Sequence, residues 1–239
     1  MKPEDGRTMG ETSIGVLIFP EFQLLDVAGP LDMFASTEGC RPLLVGTTCD
    51  PVAADGFNGI AFTPNTDFAG APPLDVLFVP GGEGIAQAIS DPPTLSFLRS
   101  QALTATYITS VCTGALVLGA AGLLQGYRAA THWRYMDLLP LVGAEPVDER
   151  VVRDRNRITS GGVTAGIDFG LVLIAEIMGR AAAEATQLSM QYAPAPPFQA
   201  GHPSAAPQQI VEELRKRTQL VHGSREMLLR KVGAPGSVL

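Results

Sequence analysis

Cys112 stands in Ser110-Val-Cys-Thr-Gly114, where a β-rich apolar run (residues 105–111) passes straight into a helical one (residues 113–121). A residue on such a strand-to-helix corner is thrust out of the sheet on a strained backbone. Its sulfur faces the helix N-terminus, whose free N–H groups and partial positive charge favour a thiolate. The five residues reproduce the spacing of the Gly-x-Ser-x-Gly elbow with sulfur as the attacking atom. That arrangement suits covalent, nucleophilic catalysis. A second reading stays open on the local sequence: a free cysteine is commonly a small buried hydrophobe.

In open α/β sheets ligands sit beyond the carboxyl ends of the strands, and other residues with usable chemistry follow predicted strands here. Asp26, in Phe22-Gln-Leu-Leu-Asp-Val-Ala-Gly-Pro30, is a carboxylate with apolar residues on both sides. It reads as a helix N-cap, as a general acid and base whose pKa is raised by its apolar setting, or as both. Gly81 and Gly82 end the run at residues 75–79 and form either an ordinary tight turn or, with the N–H of Thr113, an oxyanion hole. The Thr113 hydroxyl either caps its own helix, holds a water or orients Asp26. His132, in Thr131-His-Trp133, is the only histidine in the body of the fold and reads as structural or catalytic. Trp133 and Phe198 are candidates for an apolar pocket wall or for core packing.

These residues need a scaffold that brings strand ends together. Residues 13–19 are a β-rich run closed by Pro20, and residues 26–36 read as a helix with Pro30 near its first turn. Residues 42–46 form a second short strand. A Gly/Asn/Pro-rich excursion follows over residues 50–73, with a small hairpin expected around residues 59–63. After the central strand at 75–79 come short helices at 84–89 and 92–103, the strand at 107–111 and the elbow helix. Further short strands are expected at 128–131 and 157–159, then a buried helix at 164–179 and another helix at 181–192. Continuous apolar strands alternating with helices predict an α/β fold whose mainly parallel central sheet is covered on both faces. Residues 1–12 read as a disordered N-terminal extension and residues 13–193 as the α/β domain. Residues 194–239 read as a Pro-rich segment and a helical tail, the latter one helix or two broken at Gly223.

Composition narrows the chemistry. The chain has 239 residues, 46% hydrophobic and 17% charged, enough for one sizeable core. A net charge of −7 offers no basic footprint for nucleic acid or an anionic membrane, so a small-molecule partner is the default. The polar start lacks the apolar core of a signal peptide, and the apolar stretch at residues 165–178, interrupted by Asp168 and Glu176, is shorter than the ~20 residues of a membrane span. Cys40, Cys49 and Cys112 make no paired framework, which suits a reducing, cytoplasmic setting. With lysine only at Lys2, Lys216 and Lys231, the body offers no Schiff-base, pyridoxal phosphate or P-loop lysine. His132, His202 and His222 form no HExxH or ligand-spaced cluster, so no metal is expected. Gly82-Glu-Gly-Ile-Ala-Gln87 starts like a dinucleotide fingerprint but has glutamine at the third glycine position, so no cofactor is expected.

The ordered set Phe19-Pro-Glu-Phe22, Asp26, Gly29-Pro-Leu-Asp32, Val79-Pro-Gly-Gly82, Ser110-Val-Cys-Thr-Gly114, Thr131-His-Trp133 and Thr159-Ser-Gly-Gly162 resembles the ThiJ/PfpI superfamily over about residues 13–192. The resemblance implies a flavodoxin-like three-layer sandwich of the class I glutamine amidotransferase type, a homodimer and no cofactor. It implies Cys112, Asp26 and Thr113 as catalytic residues, with Gly81, Gly82, His132 and Gly162 around the substrate. PfpI-type peptidases usually carry histidine directly after the cysteine, where this chain has Thr113, which argues against proteolysis. Cysteine-threonine with an upstream aspartate is similar to the branch that hydrates isonitriles to N-substituted formamides through a thioimidate. It is equally similar to the sensor domains of AraC-type regulators, whose DNA-binding domain needs more chain than residues 208–239 supply. A glyoxalase or deglycase acting on an aldehyde carbon, and a ligand sensor without turnover, are the alternatives.

Overall fold

Strands without a polar face persist only where both faces are covered. β6 (Val76–Val79) is buried at every residue, and β1 (Thr12–Leu17) and β7 (Tyr107–Val111) at every residue but the first. These three lie side by side in the middle of a seven-stranded sheet. The computed structural model describes residues 10–56 and 59–232. Outward from the centre the sheet adds β2 (Cys40–Gly46) and the two-residue β5 (Thr66–Asp67) on one side, β11 (Arg157–Ser160) and β10 (Val151–Asp154) on the other. All neighbours are parallel except β10 against β11. The antiparallel β10 is an edge strand with no counterpart in the sequence pattern. The expected hairpin is present, with β3 (Val52–Ala53) against β4 (Ala61–Phe62), but it stands outside the main sheet.

The helices pack in two groups. α1 (Leu24–Ala35) contacts α5 (Ala165–Met178), which contacts α6 (Arg180–Ser189). α2 (Ile85–Ser90), α3 (Pro92–Ala102), α4 (Gly114–Ala120), a 3-10 helix (Trp133–Val142) and α7 (Gln208–Val232) form the other. Together they make the three-layer α/β sandwich with a mainly parallel sheet. Small residues bring α1 and α5 together, with Gly166 facing Pro30 and Gly170 facing Met33. Phe34, Phe78 and Phe169 then join α1, β6 and α5, with ring centroids 5.2 to 6.5 Å apart. Aromatic pairs at such spacing add ~1 kcal/mol each beyond their buried area.

Several local expectations change. α1 begins two residues before the expected start, so Asp26 lies inside the first turn and Pro30 in mid-helix. The expected strand at 128–131 shrinks to β8 (Arg128–Ala129), which pairs with β9 (Glu145–Pro146) in a separate ribbon rather than with the sheet. The 3-10 helix after it buries Tyr135, Leu138, Leu139 and Val142, a helical spacing that has no counterpart among the expected elements. Of the expected N-terminal extension, residues 1–9 lie outside the described residues, as do residues 233–239 of the tail; Thr12 already belongs to β1. Residues 208–232 form one helix running through Gly223. No described helix is long and apolar enough to cross a membrane.

The chain enters the sheet at β1, steps to β2, then crosses back to β6 on the other side of β1. β1 and β6 therefore flank a topological switch point, where strand ends open a crevice. Asp26 follows β1, Gly81 follows β6 and Cys112 follows β7. The elbow also needs a bare backbone: a Cβ on Gly114 would lie 2.2 Å from the Val79 carbonyl oxygen and 2.7 Å from that of Pro80. Gly114→Ala is expected to cost more than about 3 kcal/mol in urea denaturation, since rigid backbone must move. Gly223→Ala, whose Cβ meets nothing within 4 Å, is expected to stabilise the chain by ~1 kcal/mol in the same assay.

Candidate active site

Cys112 adopts a left-handed φ of 55°. Such a conformation costs a non-glycine residue ~1–2 kcal/mol and needs support. The Cys112 N–H donates to the carbonyls of Ser160 (3.1 Å) and Gly161 (2.9 Å). The Thr131 hydroxyl donates to the Cys112 carbonyl at 2.8 Å. Cys112 is 6% exposed, and the backbone N–H groups of Thr113 and Val163 and the Thr113 hydroxyl act as nearby donors that pull its thiol pKa down. Those three donors favour the thiolate, in line with the helix-terminus argument. They are outweighed: burial first, then the charge of Asp26, pushes the thiol well above its usual range. The resting sulfur is therefore a protonated thiol, not the free thiolate that the corner position suggested.

Asp26 has no solvent exposure. It does not cap α1, whose N-cap is Gln23 without a side-chain bond. Instead its Oδ2 accepts the Gly81 N–H at 2.8 Å, and the neighbouring Cys112 thiol favours its ionised form. Oδ1 is buried without a hydrogen-bond partner. Burial raises the carboxyl from 3.8 to about 7, against the lowering pull of Gly81 and Cys112. Near neutral pH the acid and the thiol thus hold between one and two protons, and loss of the first leaves a single proton shared across the contact.

The Gly81-Gly82 turn is built around this pair. A Cβ on Gly81 would come within 2.9 Å of Asp26 Oδ2, Thr113 Oγ1 and Thr113 N, so a side chain there would fill the space between acid and elbow. Gly82, at φ 141°, has no room for a Cβ against Glu21 and Phe22. Its N–H donates to Thr113 Oγ1 at 3.3 Å. Both glycine N–H groups are therefore engaged within the chain, one on the acid and one on Thr113. Thr113, 2% exposed, makes no side-chain bond to its own helix, and its hydroxyl lowers the Cys112 thiol pKa. The backbone donors that do converge on Cys112 are those of Thr113 and Val163.

His132 reaches the site from the ribbon rather than from the sheet. Its Nδ1 accepts the Arg134 N–H at 3.3 Å and caps the 3-10 helix. Burial, then the charges of Arg134 and Arg225, lowers it to about 4, so the ring is neutral at physiological pH. A Cβ on Gly162 would stand 2.8 Å from its Cδ2, so the two residues pack directly. Both line a cavity of about 630 Å³ together with Trp133, Phe198, Thr131 and Val163. Trp133 and Phe198 are thus walls rather than core. The cavity adjoins the elbow because Thr131, Gly161 and Val163 line it and also bond Cys112. The Pro-rich segment crosses its rim, held where His202 Nε2 meets Asp148 Oδ1 at 3.1 Å.

Two contributors carried little signal. Val163 acts through its backbone, which any residue would supply. Arg225 lies in α7, 2% exposed, beside the Gly81-Gly82 turn. Its trace in the sequence is a charge four residues before Leu229 and fourteen after Val211, on the buried face of an amphipathic helix. Among the described residues no group of three or more His, Cys, Asp or Glu side chains converges as a metal site.

Known proteins share this architecture. The chain is 53% identical over 204 residues to the isonitrile hydratase of Pseudomonas putida, covering 85% of this chain and 89% of that protein. It is 34% identical over 181 residues to the HTH-type transcriptional regulator GbdR of Pseudomonas aeruginosa, covering 70% of this chain but 47% of the regulator. Among solved structures, a ThiJ/PfpI family protein from Pseudomonas syringae superposes with a TM-score of 0.89 at 43% identity, over 92% of this chain and 91% of that one. The family model for DJ-1/PfpI matches residues 12–176, from the first residue of β1 into α5, and the chain belongs to the DJ-1/PfpI family.

Proposed function

We propose that this chain hydrates isonitriles, R–NC, to N-substituted formamides, with Cys112 as nucleophile and Asp26 as general acid and base. The observation that carries the reading is a buried thiol on a left-handed strand-to-helix corner beside a buried carboxyl, with each shifting the titration of the other. Extensive identity to an isonitrile hydratase supports the substrate class. The regulator GbdR is roughly twice as long as the matched segment, and a glutathione-independent glyoxalase of Caenorhabditis elegans is only 25% identical over 143 residues.

The isonitrile's terminal carbon both accepts a nucleophile and takes up a proton. In the reactive state one proton is shared between Cys112 and Asp26. As the sulfur bonds to the terminal carbon, that proton passes through Asp26 to the same carbon, giving the thioimidate R–N=CH–S–Cys112. Burial keeps opposing the thiolate, but neutralising Asp26 during this transfer removes the second cause that held the thiol protonated, and the donors near sulfur favour the charge that develops there as attack begins. Water then adds across the C=N bond: its oxygen joins carbon, and its proton reaches nitrogen through the ionised Asp26. The neutral carbinol R–NH–CH(OH)–S–Cys112 breaks its C–S bond, the hydroxyl proton returns to the Asp26–Cys112 pair, and R–NH–CHO leaves. With sulfur covalently bound, the N–H groups of Thr113 and Val163 are placed to steady the developing oxyanion. Thr113 keeps its hydroxyl on the sulfur and its oxygen on Gly82, while Gly81 orients the acid. Neutral His132 and Gly162 shape the cavity beside Trp133 and Phe198, whose apolar faces suit the R group. The scheme consumes only water.

Incubation with cyclohexyl isocyanide is expected to yield the formamide, and Cys112→Ala should lower turnover by ~10⁴-fold or more in a folded protein; residual hydration near the wild-type rate excludes the covalent route. Turnover of methylglyoxal but of no isonitrile would replace the substrate assignment. kcat/KM should rise with pH through about 7, because the form competent for attack requires the Asp26–Cys112 pair to have lost the first of its two protons to solvent. A profile that falls through neutrality contradicts that order. Asp26→Asn should lose ~10²–10⁴ of the rate. It should also change stability with a definite sign: an acid raised from 3.8 to about 7 by burial favours folding fully below pH 3.8, and that contribution fades as pH rises through 7. Against the wild type, Asp26→Asn should therefore gain stability between pH 4 and pH 8, on the order of a few kcal/mol, which thermal melts at the two pH values will read.

A further inference from the structure

Arg225 brings a positive charge into the interior from α7, a helix outside the residues matched by the family model. Its Nη2 donates to the Gly82 carbonyl at 3.2 Å and to Glu83 Oε2 at 3.0 Å. The guanidinium stands 4.6 Å from the centre of the Tyr135 ring, and its Nε is buried without a hydrogen-bond partner. Burying a guanidinium is costly, and Glu83, with a side chain 53% exposed, is a solvent-screened partner. An aliphatic residue on this helix face would pack at less cost. What the arginine adds is a directed bond to the turn.

That turn needs one. Gly82 is a glycine at φ 141°, so no side chain of its own helps to hold this backbone conformation. On the α1 side it is tied by Gln23 N–H to the Gly81 carbonyl at 2.8 Å and by Gly84 N–H to the Glu21 carbonyl at 3.2 Å. On the opposite side Arg225 holds the peptide that follows the two whose N–H groups bond Asp26 and Thr113. We propose that Arg225 is a positioning residue, fixing the Gly82 carbonyl so that the Gly81 and Gly82 N–H groups stay aimed at Asp26 and Thr113. The proposal rests on the reading of Asp26 and Cys112 as the reacting pair. When Arg225 is removed, the turn swings, the Gly81 bond weakens, and Asp26 loses a group that favours its ionised form.

The test is the pH dependence of Cys112 alkylation by iodoacetamide in the full chain, followed by mass spectrometry of the Cys112 peptide. It needs no isonitrile. In the wild type the rate should rise through about 7. Arg225→Met should move that midpoint upward by roughly half a pH unit or more. Arg225→Lys keeps the charge but lacks the planar group over the Tyr135 ring that sets Nη2 on the Gly82 carbonyl, so a smaller upward shift there separates aiming of the turn from simple loss of positive charge. For hydration, kcat should fall by about tenfold in the Met variant with KM little changed, the pattern of misplaced chemistry rather than lost binding. A folded Met or Lys variant whose midpoint matches the wild type overturns the proposal, whatever its melting temperature; if the Met variant does not fold, the Lys variant decides. A wild-type profile with no midpoint near 7 removes the pair and the proposal with it. Shifted midpoints in a chain that hydrates no isonitrile leave the role of Arg225 standing and reject the substrate class alone.

Discussion

A carboxyl group buried beside a thiol, with no cation against it among the described residues, is the constraint around which this molecule is arranged. Desolvation alone raises Asp26 into the neutral range, and burial, with the Asp26 charge added to it, keeps Cys112 protonated. Neither group has a useful protonation state by itself: an isolated aspartate would be a spent base at pH 7, and an isolated buried thiol would be inert. Together they hold one proton that rests on the sulfur, and the donors near the sulfur offset part of the cost of passing it to Asp26. The instability of an ionised, buried Asp26 is the other side of the same physics.

Holding that pair demands close approach of backbones from three strand ends. Gly81 lies between acid and elbow with no room for a side chain, Gly114 lets α4 start against the end of β6, and Cys112 accepts a left-handed backbone held by β11 and by Thr131. The switch in strand order between β1 and β6 opens the crevice that makes these approaches possible. The 3-10 helix, the Pro-rich segment and α7 then close around it. α7 does so with a charge, and the rest of its packing is ordinary: Val211 and Leu229 bury on the same face.

The central layers were readable because their code is local. β1, β6 and β7 are short apolar runs, and α3 has an aspartate cap and prolines in its first turn; both signals act within a few residues. What escaped was decided elsewhere in the chain. β10 becomes a strand only because β11 offers an edge, and residues 128–131 miss the sheet because Thr159, at the end of β11, takes the Ala130 N–H through its side chain. Asp26 looked like a cap because its residue type and position permit one. It is instead a partner of Gly81, a choice made by a glycine 55 residues away.

The sequence by itself determined the sheet's parallel core, the cysteine at a strand-to-helix corner, and the order in which acid, glycine turn, elbow and histidine follow their strands. Residue type and hydrophobic period carry that information, since each reflects a preference the chain expresses locally. Only the tertiary structure decided the protonation states. Whether the sulfur rests as thiol or thiolate, and whether His132 is charged, depends on desolvation and on charges brought from distant elements, Arg225 among them. It also decided where the backbone donors point, for an N–H group is the same in every residue and acquires a role only from what the fold sets in front of it.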